Sequence, residues 1–372
     1  MNETTPFFRQ NYKDPPHTQG PLPQSSEVLF GNLWALVGNT PMIEIAYSRK
    51  GRVGLIYAKC EHYSLTGSIK DRIALYILQE GYASGRIRPG DIIVEATSGN
   101  TGIALSAIGR ALGHEVTILM PDWMNRETKA LISSYGSRVI SVSGAEGGFL
   151  GSIALSEKIA RENNRVFLPR QFENRFNEEA HKNTTGVEIW SQLQSAGRIP
   201  DAFVAGVGTG GTVMGVGKYL TKMNPDIHIH PLEPLESPTL TLGRKVGSHR
   251  IQGISDEFVP PLLELQNLDR IVQVSDGDSI LMAQKLSCQL GLAVGISSGA
   301  NLIGAILLQE ELGMESVVTT VFSDCNKKYL GTDLMNPEPV KSHYLTPEIK
   351  LLSYKAIGRL NHPVGDPSIA AN

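Results

Sequence analysis

The 372-residue chain has three cysteines, Cys60, Cys288 and Cys325, and they stand far apart. A scattered, odd-numbered set excludes a disulfide framework and provides no clustered metal motif, so no metal site is expected and a reducing compartment is. Net charge is also scarce, at -3. That removes any electrostatic reason for nucleic acid or an anionic membrane as a partner. No run reaches the ~18 consecutive apolar residues of a membrane span. The opening MNETTPFFRQNYKDPPHTQG has no basic stretch followed by an apolar core, so it does not read as a secretory signal. A cytoplasmic chain is expected.

What remains is an ordinary soluble composition, 41% hydrophobic and 19% charged, with glycine abundant at 38 residues. The length suffices for two lobes of ~100–200 residues, each with its own core. Residues 1–33 form a leader, polar and proline-rich over 1–28, and residues 335–372, with Pro337, Pro339, Pro347, Pro363 and Pro367, read as a tail. Between them, apolar runs predict strands at 55–58, 92–96, 116–120, 139–142, 202–206, 227–232 and 317–322. Amphipathic stretches predict helices at 69–81, 102–112, 212–223, 278–290 and 300–312. Strands alternating with helices build mostly parallel sheets covered on both faces, so the fold class is α/β.

Four segments place small or polar residues where a strand meets a helix, the position at which open α/β sheets bind ligands. In Thr66-Gly67-Ser68-Ile69-Lys70-Asp71-Arg72, Lys70 stands among small residues at a helix start. Its amine can join an aldehyde and then move protons, although alone it reads as easily as a solvated lysine. Thr97-Ser98-Gly99-Asn100-Thr101-Gly102 opens a helix and offers a carboxylate cradle of backbone N–H groups and hydroxyls, or simply a cap. Gly206-Val207-Gly208-Thr209-Gly210-Gly211-Thr212 is built as a phosphate loop. It also fits G-x-G-x-x-G, with Glu233 where a ribose-binding acid would stand, so alone it would pass for a dinucleotide site. In Gly295-Ile296-Ser297-Ser298-Gly299-Ala300, Ser298 can set a neutral hydroxyl against a pyridine nitrogen, or act as a plain helix cap.

Together and in this order, the four segments resemble the fold-type II pyridoxal 5′-phosphate (PLP) enzymes, specifically the cysteine synthase (O-acetylserine sulfhydrylase) family. The resemblance covers roughly residues 34–334, opening with Val37-Gly38-Asn39-Thr40-Pro41-Met42, and it displaces the dinucleotide reading. It implies a tryptophan synthase β-like pair of lobes. The smaller would hold residues 34–42 and 64–174, the larger 43–63 and 175–334. It implies Lys70 as the Schiff-base lysine and catalytic residue, with Asn100 at the ring oxygen O3′. Gly208, Thr209, Gly210, Gly211 and Thr212 would hold the phosphate, and Ser298 would meet the ring nitrogen. Thr97, Ser98, Thr101 and Gln171 would bind the substrate carboxylate. The implied reaction is β-replacement on O-acetylserine or O-phosphoserine by sulfide or thiosulfate, through an α-aminoacrylate, giving cysteine or S-sulfocysteine. Family members are usually homodimers, and serine acetyltransferase is a partner some of them take.

Where the family commonly has Pro after Gln-Phe-x-Asn, this chain has Arg175. The segments 147–152, 249–261 and 323–328 are more similar to the subgroup that makes S-sulfocysteine from O-phosphoserine and thiosulfate. A phosphorylated substrate would need arginine forks, for which Arg175, Arg244 and Arg250 are candidates. Cystathionine β-synthase and serine/threonine dehydratase share the cofactor and are the enzyme alternatives. Gly67-Ser68-Ile69-Lys70 with Gly208-Thr209-Gly210-Gly211-Thr212 departs from the dehydratase pattern. An inactive homologue that only binds a partner is the non-enzyme alternative, against which the full set of cofactor residues stands.

Overall fold

Runs such as Ala-Phe-Val-Ala-Gly and Val-Thr-Thr-Val-Phe bury nearly every side chain, the signature of strands covered on both faces. In the computed structural model, which describes residues 25–361, they lie inside two sheets. The strands are β1 (Met42–Arg49), β2 (Arg52–Cys60), β3 (Ile92–Ala96), β4 (Glu115–Pro121), β5 (Arg138–Val142), β6 (Val166–Phe167), β7 (Ala202–Gly206), β8 (His228–Pro234), β9 (Val272–Val274), β10 (Val318–Phe322) and β11 (Ile349–Ile357). The helices are α1 (Ser26–Trp34), α2 (Lys70–Ala83), α3 (Asn100–Ala111), α4 (Arg126–Ser134), α5 (Gly148–Glu162), α6 (Arg175–Ala180), α7 (Gly186–Ser195), α8 (Gly211–Met223), α9 (Thr239–Leu242), α10 (Asp276–Leu290) and α11 (Ile296–Leu312). A π-helical turn, His181–Thr185, joins α6 to α7.

The smaller sheet is parallel throughout, in the order β5-β4-β3-β6. The larger runs β11-β1-β2-β10-β7-β8-β9, antiparallel across β11, β1 and β2 and parallel from β2 onward. Helices cover both sheets, and three apolar cores result. One joins α2 and α3 to the smaller sheet through Ile73, Leu78, Ile103, Ile108 and Ile118. A second packs α10 and α11 on one face of the larger sheet through Ile280, Ile303, Val204 and Val318. The third packs α7 and α8 on the other face through Trp190, Val216, Leu220 and Phe203. This is the α/β fold expected, and the carboxyl ends of β3, β7 and β10 open on one cleft.

Three segments depart from the sequence expectation. The last part of the expected leader is α1, whose Phe30 and Leu33, with Trp34, are buried in the smaller sheet's core. Residues 1–24 of that leader lie outside the described residues. The expected tail supplies β11, paired with β1 along its whole length, from Met42 opposite Ile357 to Arg49 opposite Ile349. Pro337, Pro339 and Pro347 precede that strand, and residues 362–372 of the tail lie outside the described residues. Helix α6, just past the expected lobe boundary, buries Ala180 against the smaller sheet's core, with Phe176 packed beside it.

Candidate active site

Lys70 is the first residue of α2, held there because the preceding Ile69 donates its N–H to Ser323 O at 2.8 Å, just past the end of β10. A strand end of one sheet thus fixes the start of a helix packed on the other. Lys70 forms part of the cleft wall. Burial pulls the Lys70 pKa below that of an ordinary lysine, and Asp324 and Asp256 oppose that pull.

Across from it, β3 ends and α3 begins through Thr97, Ser98, Gly99 and Asn100, all on the cleft wall. Thr97 Oγ1 accepts the Gly99 N–H at 3.2 Å, which shapes the turn. Thr101 donates its hydroxyl to Gln171 Oε1 at 2.6 Å, and Gln171 donates to Ala96 O at 3.1 Å. The four expected carboxylate-binding residues are therefore brought together, with Gln171 tied to the loop by two bonds.

The glycine loop follows β7. A Cβ on Gly208 would stand 2.5 Å from Gly253 O, and one on Gly211 would stand 1.9 Å from Asn177 Oδ1. Neither position admits a side chain. Gly208, Thr209 and Thr212 line the cleft, whereas Gly210 and Gly211 lie in the turn behind them and make the start of α8. Thr209 is held by Asn177, which donates to its hydroxyl at 2.9 Å and to Gln171 O at 2.7 Å. Thr212 Oγ1 lies 3.2 Å from His181 Nε2, and burial keeps that imidazole neutral by driving its pKa well down. Asn177 and His181 went unnoticed in the sequence because they belong to α6 and the π turn, which carry no motif.

Ser298 does not stand on the cleft surface as expected. It is fully buried in the first turn of α11 and accepts the Ser323 N–H at 3.0 Å, while Ser297 and Ser323 line the cleft wall. Its hydroxyl keeps its proton for a donor role. Arg250 is excluded as a free phosphate fork. Its guanidinium is committed to Asp276 at 2.8 Å and Glu338 at 2.6 Å, with Asp333 at 3.4 Å. Arg175 and Arg244 are exposed and stand outside the cleft wall. Glu233 is no ribose ligand either: fully buried, it caps α9 by accepting the Leu240 N–H at 2.7 Å.

Four further residues of the cleft wall or its backing carry charge or a proton. Asp256 faces the cleft, where burial pushes its carboxyl up to about 6 against the pull of Lys70. Lys328, Tyr329 and Asp324 surround Asn100. Asp256 and the 323–328 segment fell within runs noted in the sequence, but no residue spacing there marks a site.

The donor set suits PLP. A partly desolvated amine matches an aldehyde, and a side-chain-free turn at the N-terminus of a 13-residue helix matches a phosphate. Such a cleft between two twisted, largely parallel sheets defines a fold-type II PLP enzyme. The chain belongs to the pyridoxal-phosphate dependent enzyme family, whose model matches residues 33–324.

Among its relatives, a probable cysteine synthase of Bacillus subtilis is 37% identical over 306 residues, 82% of this chain and 98% of that one. A solved hydrogen sulfide-producing enzyme from Fusobacterium nucleatum is 54% identical, with a TM-score of 0.87 over 89% of this chain and 99% of that chain. A second structure of a hydrogen sulfide-producing enzyme, 53% identical with the same TM-score and coverage, is of an aspartate-to-asparagine variant in complex with an α-aminoacrylate intermediate. The chain is thus a PLP-dependent enzyme, and its cofactor is PLP.

Proposed function

We propose that this enzyme replaces the β-substituent of an O-activated serine, O-acetylserine foremost, with sulfide, releasing the carboxylate leaving group and giving cysteine. The observation that carries this reading is the placement of Lys70. Its desolvated amine lies in one cleft with the Thr97–Thr101 turn, Gln171 and the glycine loop. Lys70 would hold PLP through its amine, Asn100 its ring oxygen and Ser298 its ring nitrogen. Gly208, Thr209, Gly210, Gly211 and Thr212 would hold its phosphate. When bound, PLP supplies an electron sink that acidifies the substrate Cα–H and lets the β-substituent depart.

The chain's own residues then do three things. The N–H groups and hydroxyls of Thr97, Ser98 and Thr101, with Gln171, orient the substrate carboxylate. The neutral Lys70 Nζ takes the Cα proton and returns it, a role its lowered pKa supports. A neutral serine hydroxyl at the ring nitrogen favours elimination at Cβ over transamination. S-Sulfocysteine made from O-phosphoserine and thiosulfate is not the product proposed, because Arg250, an arginine candidate for the phosphate, is already paired with Asp276 and Glu338. The family precedent of a homodimer is carried over as part of the proposal.

A second reading has its own support in Asp256 and in the hydrogen sulfide-producing relatives. Here cysteine is the amino-acid substrate. Its thiol leaves as hydrogen sulfide, and water, deprotonated by Asp256, takes the β-position: cysteine and water give serine and hydrogen sulfide. Product masses from O-acetylserine with sulfide, and from cysteine alone, separate the two. Cysteine from the first pair supports the first reading, and serine with sulfide from cysteine alone supports the second. Turnover of neither, or full turnover by Lys70→Ala, would sink both.

A further inference from the structure

Asn100 is held on both sides by charge. Lys328 Nζ donates to Asn100 Oδ1 at 2.6 Å, and Asn100 Nδ2 donates to Asp324 Oδ2 at 2.7 Å. An ammonium can only donate and a carboxylate can only accept, so this pair fixes which way the amide faces. With its carbonyl taken by Lys328, what Asn100 offers an incoming ring oxygen is an N–H.

The clamp is itself built in. Lys328 is 4% exposed and Asp324 1%, unusual for either residue type. Lys328 also donates to Gly67 O at 3.3 Å, in the turn that leads into Lys70. Tyr329 donates its hydroxyl to the same Asp324 oxygen that holds Asn100. The other Asp324 oxygen has no partner, although it is buried. The titratable groups around the cluster are Asp71 and Lys70 on α2, with His62, whose imidazole burial lowers to about 4 and so keeps neutral, beyond Asp324. Lys328 and Tyr329 both stand on the cleft wall.

We propose that Lys328 and Asp324 are positioning residues for the cofactor's ring oxygen. Together they lock Asn100 as an N–H donor, and the Lys328 cation biases that oxygen toward its anionic form, a role that rests on Asn100 meeting the ring oxygen. A cation behind the amide polarises its N–H, so the anionic oxygen gains most. Neither residue need touch the cofactor to do this.

The holoenzyme's visible absorption reports the protonation of the ring oxygen directly, apart from turnover. Lys328→Gln is expected to raise the pH midpoint of that spectral change by about one unit, the size of one lost charged neighbour. Lys328→Arg should restore most of the shift. Asp324→Asn, which removes an anion while Lys328 still holds the amide carbonyl, should move the midpoint the opposite way, so that a general effect of misfolding is told apart from loss of the cation. In an Asn100→Ala background, Lys328→Gln should add nothing further, as coupled residues do. An unmoved midpoint in Lys328→Gln, while Asn100→Ala shifts it, overturns the inference alone. A full additional shift on top of Asn100→Ala overturns it too, because Lys328 would then act on the cofactor directly. An unmoved midpoint in Asn100→Ala overturns the assignment of Asn100 to the ring oxygen.

Discussion

Two carboxyls near the cleft spend part of the pH range protonated, for the same physical reason and with different consequences. Glu95, at the end of β3 and 5% exposed, is pushed up to about 8 by burial, despite accepting N–H groups from Ala96, Arg170 and Gln171. One of its oxygens has no partner. Its folded pKa exceeds the ordinary 4.5, so between those values the folded chain binds a proton that the unfolded chain does not. Stability from Glu95 is thus full below 4.5 and is lost as the pH rises through about 8. Urea unfolding at a series of pH values should show this decline in the wild type and a flatter profile in Glu95→Gln; parallel profiles would contradict it. Asp256 bears instead on the second proposed reading, hydrogen sulfide release. As a base it is competent above about 6, so hydrogen sulfide release from cysteine should rise through that pH. Asp256→Asn should cut the release by about 100-fold, the usual weight of a general base. Cysteine synthesis from preformed sulfide, which needs no base for its nucleophile, should suffer far less. Equal losses in both directions would assign Asp256 to structure.

At the scale of elements, β11 is the piece whose removal is easiest to forecast. It covers the whole length of β1, buries Ile349, and its start is fixed by Lys285 of α10, which donates to Thr346 O at 3.0 Å. Truncation after Tyr344 would bare β1 as an eight-residue edge strand on a large sheet, a template for pairing between chains. Lower melting temperature and aggregation visible by light scattering are expected; a soluble, equally stable truncation would refute this. Strand β11 was illegible in the sequence because only Ile349 is fully buried, Leu351 and Ile357 are half-buried and the residues between are exposed, so the core signal is weak, and Pro347 stands just before it. The parallel strands β3, β7 and β10 were legible because burial on both faces writes itself as an unbroken apolar run. The site divides along the same line. Lys70, Asn100 and Thr209 lie in contiguous motifs at strand-to-helix junctions, where local chemistry is enough. Lys328 reaches Asn100 across 228 positions, and only the packing of one lobe on the other brings them together.

At the scale of the molecule, the two sheets meet through four charges with no access to water. Arg72 of α2, a helix of the smaller sheet's core, binds Glu61 past the end of β2 at 2.6 Å and Glu188 of α7 at 2.7 Å. Lys59 at the end of β2 binds the same Glu188 at 2.7 Å. All four side chains are 0% exposed. Two cations against two anions leave no net charge, which is what makes such burial tolerable. The acids dominate what Arg72 experiences: burial alone would lower its pKa, but Glu188 and Glu61 drive it upward, so it stays charged at any working pH. The cluster stands two residues beyond Lys70, on the same helix, so it fixes the angle at which that amine enters the cleft. Arg72→Met would strand two acids beside one lysine in a dry interior, at a cost of about 3–5 kcal/mol. Arg72→Lys would keep the charge but lose the fork that spans both acids, so it should rescue only part of that loss. Chemical denaturation gives the first number. The lysine variant separates geometry from charge: if it matched the wild type in both stability and cofactor retention, the fork would be dispensable and the lobes would be aligned by their apolar contacts alone.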